Sequence, residues 1–314
     1  MKECYIDMHC HILPGVDDGA KDLAETKKML EIAYAEGIRC IIATPHHHPH
    51  RGKAPAEKLR ERAQEYEKKY HIIYEEKNGG GAKGFKDGVE YTYKNICTDW
   101  ILLIDDDAIL DTEYLENISQ FISANGEYKA VSGTVKTEGE IDTTHRKRLK
   151  SKVTFSITPV SANEYEKESF DYDLASFCGL LFSRELIKEI GVPKAEYFIW
   201  YDDSEYSLRL RRKTKIANVN AAWLNHKTKK ATQKDQLNWK GYYGIRNMGD
   251  IVRIYGTKRQ YHLYRLRVNV AWLRNKILFS IKNEECYKFN YTLYKDALDD
   301  MKKNAFGFNA KYHA

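Results

Sequence analysis

Five apolar residues, Trp100-Ile-Leu-Leu-Ile104, run without interruption into three aspartates, Asp105-Asp106-Asp107. An unbroken apolar run of this length reads as a strand buried on both faces, the kind found in α/β sheets covered by helices. Side chains alternate along a strand, so two of the three carboxylates share a face at its carboxyl end, where open α/β sheets bind their ligands. Hard oxygen donors of this kind suit Mg²⁺ or Mn²⁺ carrying a diphosphate. By itself an acid triplet is also an ordinary polar turn, so its meaning rests on its neighbours.

Those neighbours repeat the α/β theme. Residues 5 to 12 read as a short strand, Leu23 to about Glu36 as a helix opened by Asp22 and stopped by Gly37, and Ile38 to Ala43 as a buried parallel strand. Together they make one βαβ unit. Ala56 to Tyr70 reads as a charged helix and residues 72 to 74 as a strand; a glycine-rich loop from Lys77 to Gly84 then opens a helix ending near Lys94. Thr112 is expected to cap the next helix, and Ala130 to Lys136 to form a strand. Residues 137 to 170 read as a polar, irregular, mobile loop. Ser183 caps a short helix that Gly191 ends, Asp202 or Asp203 opens a helix through Arg211, and alanine-rich strand character runs to Trp223. The remainder is helical, broken near Gly256.

A chain of 314 residues, 42% hydrophobic and 31% charged, can bury a sizeable core, which excludes a disordered chain. Its six cysteines show no CxxC spacing, so neither a disulfide framework nor a cysteine-rich zinc module is expected. With no apolar leader and no run of about 18 apolar residues, the expectation is a cytoplasmic protein that does not span a bilayer.

The net charge of +6 is uneven, since from Lys258 onward 12 basic and 5 acidic side chains leave +7. There Tyr261, Tyr264, Leu266, Trp272, Leu273, Ile277 and Phe279 interleave with Arg259, Arg265, Arg267, Arg274 and Lys276. Such a pattern fits a helix covering the core, or one making peripheral contact with anionic lipid at the inner face of a membrane. The basic residues sit on no nucleic-acid recognition module, so nucleic acid is not expected as a partner.

Histidines mark a separate constellation near the amino terminus. His9 and His11 share a strand face with Asp7, and Asp17, Asp18 and the cluster His46-His47-His48 follow, a donor set for a divalent metal. The segment Tyr5-Ile-Asp-Met-His-Cys-His-Ile-Leu-Pro-Gly-Val-Asp-Asp-Gly19, followed by Ile41-Ile-Ala-Thr-Pro-His46, resembles the start of the PHP (polymerase and histidinol phosphatase) metal-dependent protein tyrosine phosphatases of bacterial capsule clusters. The resemblance runs to roughly Tyr70 and implies that His9, His11, Asp18 and His46 are metal ligands. The two glutamates, further histidine and closing Asp-x-His that complete this ligand set in the family have no counterpart here.

Around the acid triplet the motifs are ordered. Asn78-Gly-Gly-Gly-Ala-Lys-Gly-Phe85 is a glycine-rich turn that can bring backbone N–H groups, those of Gly80 and Gly81, close to an anion. Tyr197-Phe-Ile-Trp-Tyr-Asp-Asp-Ser-Glu-Tyr-Ser-Leu-Arg209 sets Asp202, Asp203 and Glu205 on an aromatic platform that includes Trp200, as a sugar-handling site would. With Phe177-Cys-Gly-Leu-Leu-Phe182, Asn225-His226 and Tyr242-Tyr-Gly-Ile-Arg-Asn247, these segments resemble the family 2 glycosyltransferases, particularly the galactofuranosyl- and rhamnosyltransferase branch, from about Ile72 to Gly256. The resemblance implies that Asp105, Asp107 and His226 hold Mn²⁺ or Mg²⁺, that Asp203 is the base, and that Glu205 helps bind the acceptor. Gly80, Gly81, Trp200 and Asp202 would complete the substrate contacts. The family's opening strands, with their Thr-Tyr-Asn-Arg-like and Asp-Asn-x-Ser-x-Asp segments, are absent, and residues 1 to 70 occupy their place.

The expected fold class is α/β: a partial GT-A, Rossmann-like sheet with an amino-terminal PHP-like βαβ fragment and a helical carboxyl-terminal appendage. Its parts would be residues 1–70, 71–256 and 257–314. The implied function is inverting, metal-dependent transfer of a sugar from a nucleotide-sugar donor to a glycan or lipid-linked acceptor in surface polysaccharide synthesis. The alternatives are a PHP-type tyrosine phosphatase and an inactive fusion remnant.

Overall fold

The computed structural model describes residues 5–10, 21–35, 38–43, 78–105, 107–151, 153–227 and 238–313. The helix expected at 56 to 70 and the strand at 72 to 74 lie outside them. At the amino terminus β1 (Tyr5–Cys10), α1 (Leu23–Ala35) and β2 (Ile38–Ala43) form the βαβ unit, with the two strands parallel. Their ladder is irregular between Asp7 and Cys10. β1 runs beside β3 (Trp100–Leu103) of the main sheet.

The main sheet has the order β3, β11 (Leu180–Ser183), β5 (Ala130–Thr137), β12 (Ile216–His226), β4 (Ala108–Leu110). β6 (Glu140–Ile141) adds to β5 and β9 (Ser169–Tyr172) to β12. β5 and β12 are parallel, and the other pairs are antiparallel. The two-residue period of a strand is visible in how β3 packs. Ile101 and Leu103 meet Phe85 and Val89 of α2 (Gly80–Asn95), whereas Leu102 meets Tyr114 and Ile118 of α3 (Tyr114–Ala124). α4 (Ile187–Ile190) ends at Gly191, whose φ of 74° suits glycine. α5 (Asp202–Leu210) packs Tyr206 into the core on the α2 side.

Residues 137–170, expected to be an irregular mobile loop, are instead ordered. β7 (Arg146–Leu149), β8 (Ile157–Pro159) and β10 (Leu174–Ala175) make a three-stranded sheet in the order β10, β7, β8. The cause is Arg146, whose buried guanidinium donates to the carbonyls of Gly133, His145 and Cys178, to Ser176 Oγ and to Asn218 Oδ1. A segment that is polar in sequence thus has a buried, fully bonded side chain at its centre.

β12 departs from expectation in its length. Its register against β5 jumps from Val219 opposite Gly133 to Trp223 opposite Thr134, which leaves Asn220, Ala221 and Ala222 as a bulge. Asn220 anchors the bulge by donating from Nδ2 to the carbonyls of Glu164 and Lys167. Past it the strand continues beyond the expected end at Trp223 and reaches His226.

Three helices close the chain: α6 (Lys240–Tyr255), α7 (Lys258–Lys282) and α8 (Glu285–Lys303). The break falls at Gly256, and Thr257 with Gln260 forms a capping box that starts α7. Thr112 does not cap α3; Glu113 holds the N-cap position and makes no side-chain bond there. Ser183 likewise precedes its helical turn without a capping bond. Among the described residues no helix is long and apolar enough to cross a membrane.

The bulge depends on Gly133, because a Cβ there would come within 2.3 Å of both the Ala222 carbonyl oxygen and the Tyr114 ring. Gly133→Ala is therefore expected to destabilise the protein by about 1–3 kcal/mol through overpacking. Equilibrium urea denaturation measures this, and an unchanged midpoint would show that β5 and the bulge are not in such close contact.

Candidate functional site

The acid triplet is positioned by backbone pairing. After β3 a turn closes with Ala108 N donating to Asp105 O at 3.1 Å, and β4 then pairs antiparallel with β12 so that Ala108 lies opposite His226. Lys227 N donates to Asp107 O at 2.8 Å, which fastens the far side. In consequence His226 Nε2 is 2.9 Å from Asp107 Oδ1 and 3.9 Å from Asp105 Oδ2. Asp106 lies outside the described residues. Burial disfavours a charged imidazole at His226, but the bond to Asp107 and the charges of Asp107, Asp105 and Asp142 outweigh it, so its pKa is raised.

Two residues of this cluster carry no strong signal in the sequence. Cys178 is buried, and its ligand atom lies within 4.8 Å of those of Asp105 and His226. Burial, followed by the Asp105 charge, pushes the thiol well up, so it stays protonated and hydrogen-bonded to Asp105. Its place is set by Gly179, whose φ of 78° turns the chain and where a Cβ would meet Leu224 and Tyr114. The second residue is His145. Its ring stands edge-on to His226 with centroids 5.0 Å apart, and its Nδ1 lies 2.8 Å from Ser176 Oγ. Burial first, then the charges of Arg146 and His226, bring its pKa down to about 3, which leaves it neutral. The ligand atoms of Asp105, Cys178 and His226 lie close enough together to hold a metal ion, and Asp107 adds a second carboxylate against His226.

Acids on α5 approach the cluster from a strained loop. Phe198, Trp200 and Tyr201 have φ of 65°, 64° and 71°, a left-handed conformation that is costly for aromatic residues. α6 holds the loop there. Asn247 Nδ2 donates to the carbonyls of Tyr197, Ile199 and Trp200 at 2.9, 3.0 and 2.9 Å, and Arg246 donates to those of Glu196 and Tyr197. Trp200 is 44% exposed and lies against Gly244. Asp202 is buried, and its pKa is pushed well up by that burial and by the charges of Asp203 and Asp105. Asp203 is half-buried; its Oδ1 accepts from Ser204 N and Oγ. Burial raises its pKa, while Lys147, Ser204 and Arg146 pull the other way.

These contacts bear on two expectations. Gly80 and Gly81 were expected to approach an anion. Gly80, at φ 74°, approaches the Phe198 carbonyl so closely that a Cβ would lie 2.1 Å from its oxygen, whereas the space beside Gly81 is open. Gly80 N donates to Asn78 Oδ1 and Ala82 N to Phe198 O, so the first turn of α2 serves the strained loop. Glu205 was expected to meet the acceptor. It is buried with Oε2 on Arg209 at 2.7 Å and Oε1 on Tyr255 OH at 2.7 Å, tying α5 to α6. Of the amino-terminal metal donors, His9 belongs to β1, where only the backbone is described, and His11, Asp18 and His46 lie outside the described residues.

The family described as "Capsular polysaccharide synthesis, CpsB/CapC" matches residues 5–122. Tyrosine-protein phosphatase YwqE of Bacillus subtilis (strain 168) is 62% identical over 42 residues, which are 13% of this chain and 16% of that protein. Tyrosine-protein phosphatase CpsB of Streptococcus pneumoniae is 41% identical over 56 residues, 18% of this chain and 23% of the other. The chain thus spans less than a quarter of these relatives' length. Among solved structures, GalNAc-T7 with UDP, GalNAc and Mn²⁺ matches with a TM-score of 0.57 at 11% identity, covering 96% of this chain and 56% of that one. S. aureus TarS 1-349 matches with a TM-score of 0.50 at 13% identity, covering 97% and 83%. At such identities the likeness is one of fold, a partial GT-A glycosyltransferase fold. The chain is chimera-like: its amino-terminal region is similar in sequence to capsular tyrosine phosphatases, and its fold is that of glycosyltransferases.

The His226–Asp107 contact makes a pH prediction. A raised histidine pKa contributes stability that is full below the unfolded value and is lost as the pH rises through the folded one. In metal-free protein the NMR titration midpoint of His226 is expected above that of a free histidine. In Asp107→Asn it should fall markedly, since burial then dominates. An unmoved midpoint in the variant would disprove the pairing.

Proposed function

We propose that this chain is an inverting, metal-dependent glycosyltransferase taking a nucleotide-sugar donor and a glycan or lipid-linked acceptor of surface polysaccharide synthesis. The observation that carries the reading is the convergence of Asp105, Asp107 and His226 at the carboxyl end of β3, within a fold shared with a protein solved with UDP, GalNAc and Mn²⁺. Those three residues would hold Mn²⁺ or Mg²⁺, which when bound neutralises charge on a leaving nucleotide diphosphate. Asp203 is the base: its carboxylate takes the proton of the acceptor hydroxyl as that oxygen attacks the anomeric carbon. Its raised pKa brings it nearer to the working pH, which favours the transfer. Asp202 stands beside it, its pKa pushed well up by burial and by the charges of Asp203 and Asp105. Trp200 offers an exposed indole face on which a sugar ring can stack. Glu205 acts from behind, as the strut that keeps α5 against α6.

Asp203→Asn should lower sugar transfer by roughly 10²- to 10⁴-fold while Mn²⁺ affinity, measured calorimetrically, stays unchanged. Asp107→Ala should lose the Mn²⁺ signal itself. Full transfer by Asp203→Asn would remove that residue from its role, and transfer that persists in excess chelator would defeat the metal-dependent mechanism.

A second reading is favoured by the identity of 62% to a tyrosine phosphatase over 42 residues. In it, His9, His11, Asp18 and His46 bind a metal and the chain hydrolyses phosphotyrosine. It predicts phosphate release from a phosphotyrosine peptide with Mn²⁺, abolished by His9→Ala. Absence of turnover by the unmodified chain would dispose of it, and absence of both activities would leave an inactive fusion remnant.

A further inference from the structure

α7 has two apolar faces. Toward the molecule it buries Tyr264 and Val268 against Val252 of α6 and Leu298 and Met301 of α8. On the opposite side Leu266, Val270, Leu273, Ile277 and Ile281 are 59%, 58%, 49%, 49% and 74% exposed. At 3.6 residues per turn these five fall within about 80° of arc and extend about 22 Å along the axis. Single exposed aliphatic residues are ordinary, whereas an aligned row of this length marks a contact surface. The sequence pattern grouped Leu266, Leu273 and Ile277 with Tyr264; packing sorts Tyr264 to the inner face and leaves a purely aliphatic row outside.

Cations border this row on both sides, Arg267 and Arg274 along one flank and Arg265 and Lys276 along the other. The helix carries seven Lys and Arg and no Asp or Glu. Among the described residues none of these cations pairs with a carboxylate. Arg265 and Lys276 lie over the Tyr261 and Trp272 rings of their own helix, at 5.8 and 5.3 Å.

We propose that the outer face of α7 lies on an anionic lipid bilayer, with the aliphatic row at the acyl boundary and the flanking cations among the headgroups. Charge selects this occupant. A second copy of the chain would oppose two acid-free cationic flanks, and an uncharged apolar partner would leave the cations unmatched. The contact is parallel to the surface, because the helix is too polar to cross. It rests on α7 alone and not on the reaction at the acid cluster.

Co-sedimentation of the full chain with phosphatidylcholine vesicles, with and without phosphatidylglycerol, tests the proposal. Binding should be at least about tenfold stronger with the anionic lipid. Leu273→Glu with Ile277→Glu, at exposed positions that leave the melting temperature unchanged, should bring binding to background. Arg267→Glu with Arg274→Glu should abolish the preference for anionic lipid. Equal binding to both vesicles, or undiminished binding by the Leu273 and Ile277 variant, would overturn it. A lipid-free dimer dissolved by Ile277→Glu would also overturn it, by making the row a self-interface.

Discussion

One guanidinium holds the main sheet, the small sheet and the acid cluster in register. Arg146 has no carboxylate partner among the described residues, and five neutral acceptors surround it: the carbonyls of Gly133 at 2.8 Å, Cys178 at 2.9 Å and His145 at 3.1 Å, with Ser176 Oγ and Asn218 Oδ1. Desolvating such an ion costs roughly several kcal/mol, which only a complete set of bonds offsets. The acceptors come from β5, from β12, from the turn ahead of β11 and from the entry to β7. Displacing any of these segments would leave a buried charge short of a partner. The same charge also acts on the chemistry. It adds to burial in lowering the His145 pKa beside His226, and with Lys147 it draws the Asp203 pKa downward against burial. By fixing the Cys178 carbonyl, it sets the thiol that bonds to Asp105.

The two halves of the site are built by different means. Asp107 and His226 meet because a strand register puts them there, and the bulge in β12 provides the length that reaches the meeting point. The α5 acids are delivered by strain. Three left-handed aromatic residues cost on the order of 1–3 kcal/mol each, and the Asn247 and Arg246 side chains hold them by bonding to the loop's own carbonyls. The motif Tyr242 to Asn247 is therefore positioning machinery. The Asn247 and Arg246 bonds to the loop are to backbone carbonyls, which is why the residue types matter although neither side chain reaches the acid cluster.

Local signals made much of the fold legible. The βαβ unit, β3, α2, α5 and the break at Gly256 rest on periodicity and helix-stop residues that act within a few positions. What was not legible depends on partners distant in sequence. β7 is only four residues long and acquires strand geometry by pairing with residues 157–159 and 174–175, which no local pattern announces. Cys178 and His145 look like isolated residues until Gly179 and Arg146 orient them. Gly80 did signal close backbone approach, but composition cannot say what approaches, and the answer is the Phe198 carbonyl. Glu205 follows the same rule: its spacing on α5 suits a ligand, and only tertiary packing shows Arg209 and Tyr255 at its two oxygens.

A sheet makes different demands at its edge and at its ligand face, which is how one chain can resemble phosphatases in sequence and glycosyltransferases in fold. An edge strand needs a neighbour with free backbone groups and apolar sides, and a βαβ unit of almost any origin supplies these. β1 runs beside β3, and β2 pairs with β1 in a two-stranded sheet of their own. Ligand chemistry is less forgiving, because it needs named donors at set separations. Asp105, Asp107 and His226 come from β3, from the turn into β4 and from the end of β12, all on the carboxyl-terminal side of the glycine-rich turn. Exchanging the amino-terminal strands leaves that geometry untouched and alters whatever those strands contribute to holding a nucleotide. A phosphatase built on His9, His11, Asp18 and His46 faces the reverse situation, since the donors its ligand set lacks would have to come from downstream strands that here belong to another fold. The acid cluster at β3 draws all its donors from the part of the chain downstream of that unit, and the proposed activity rests on it.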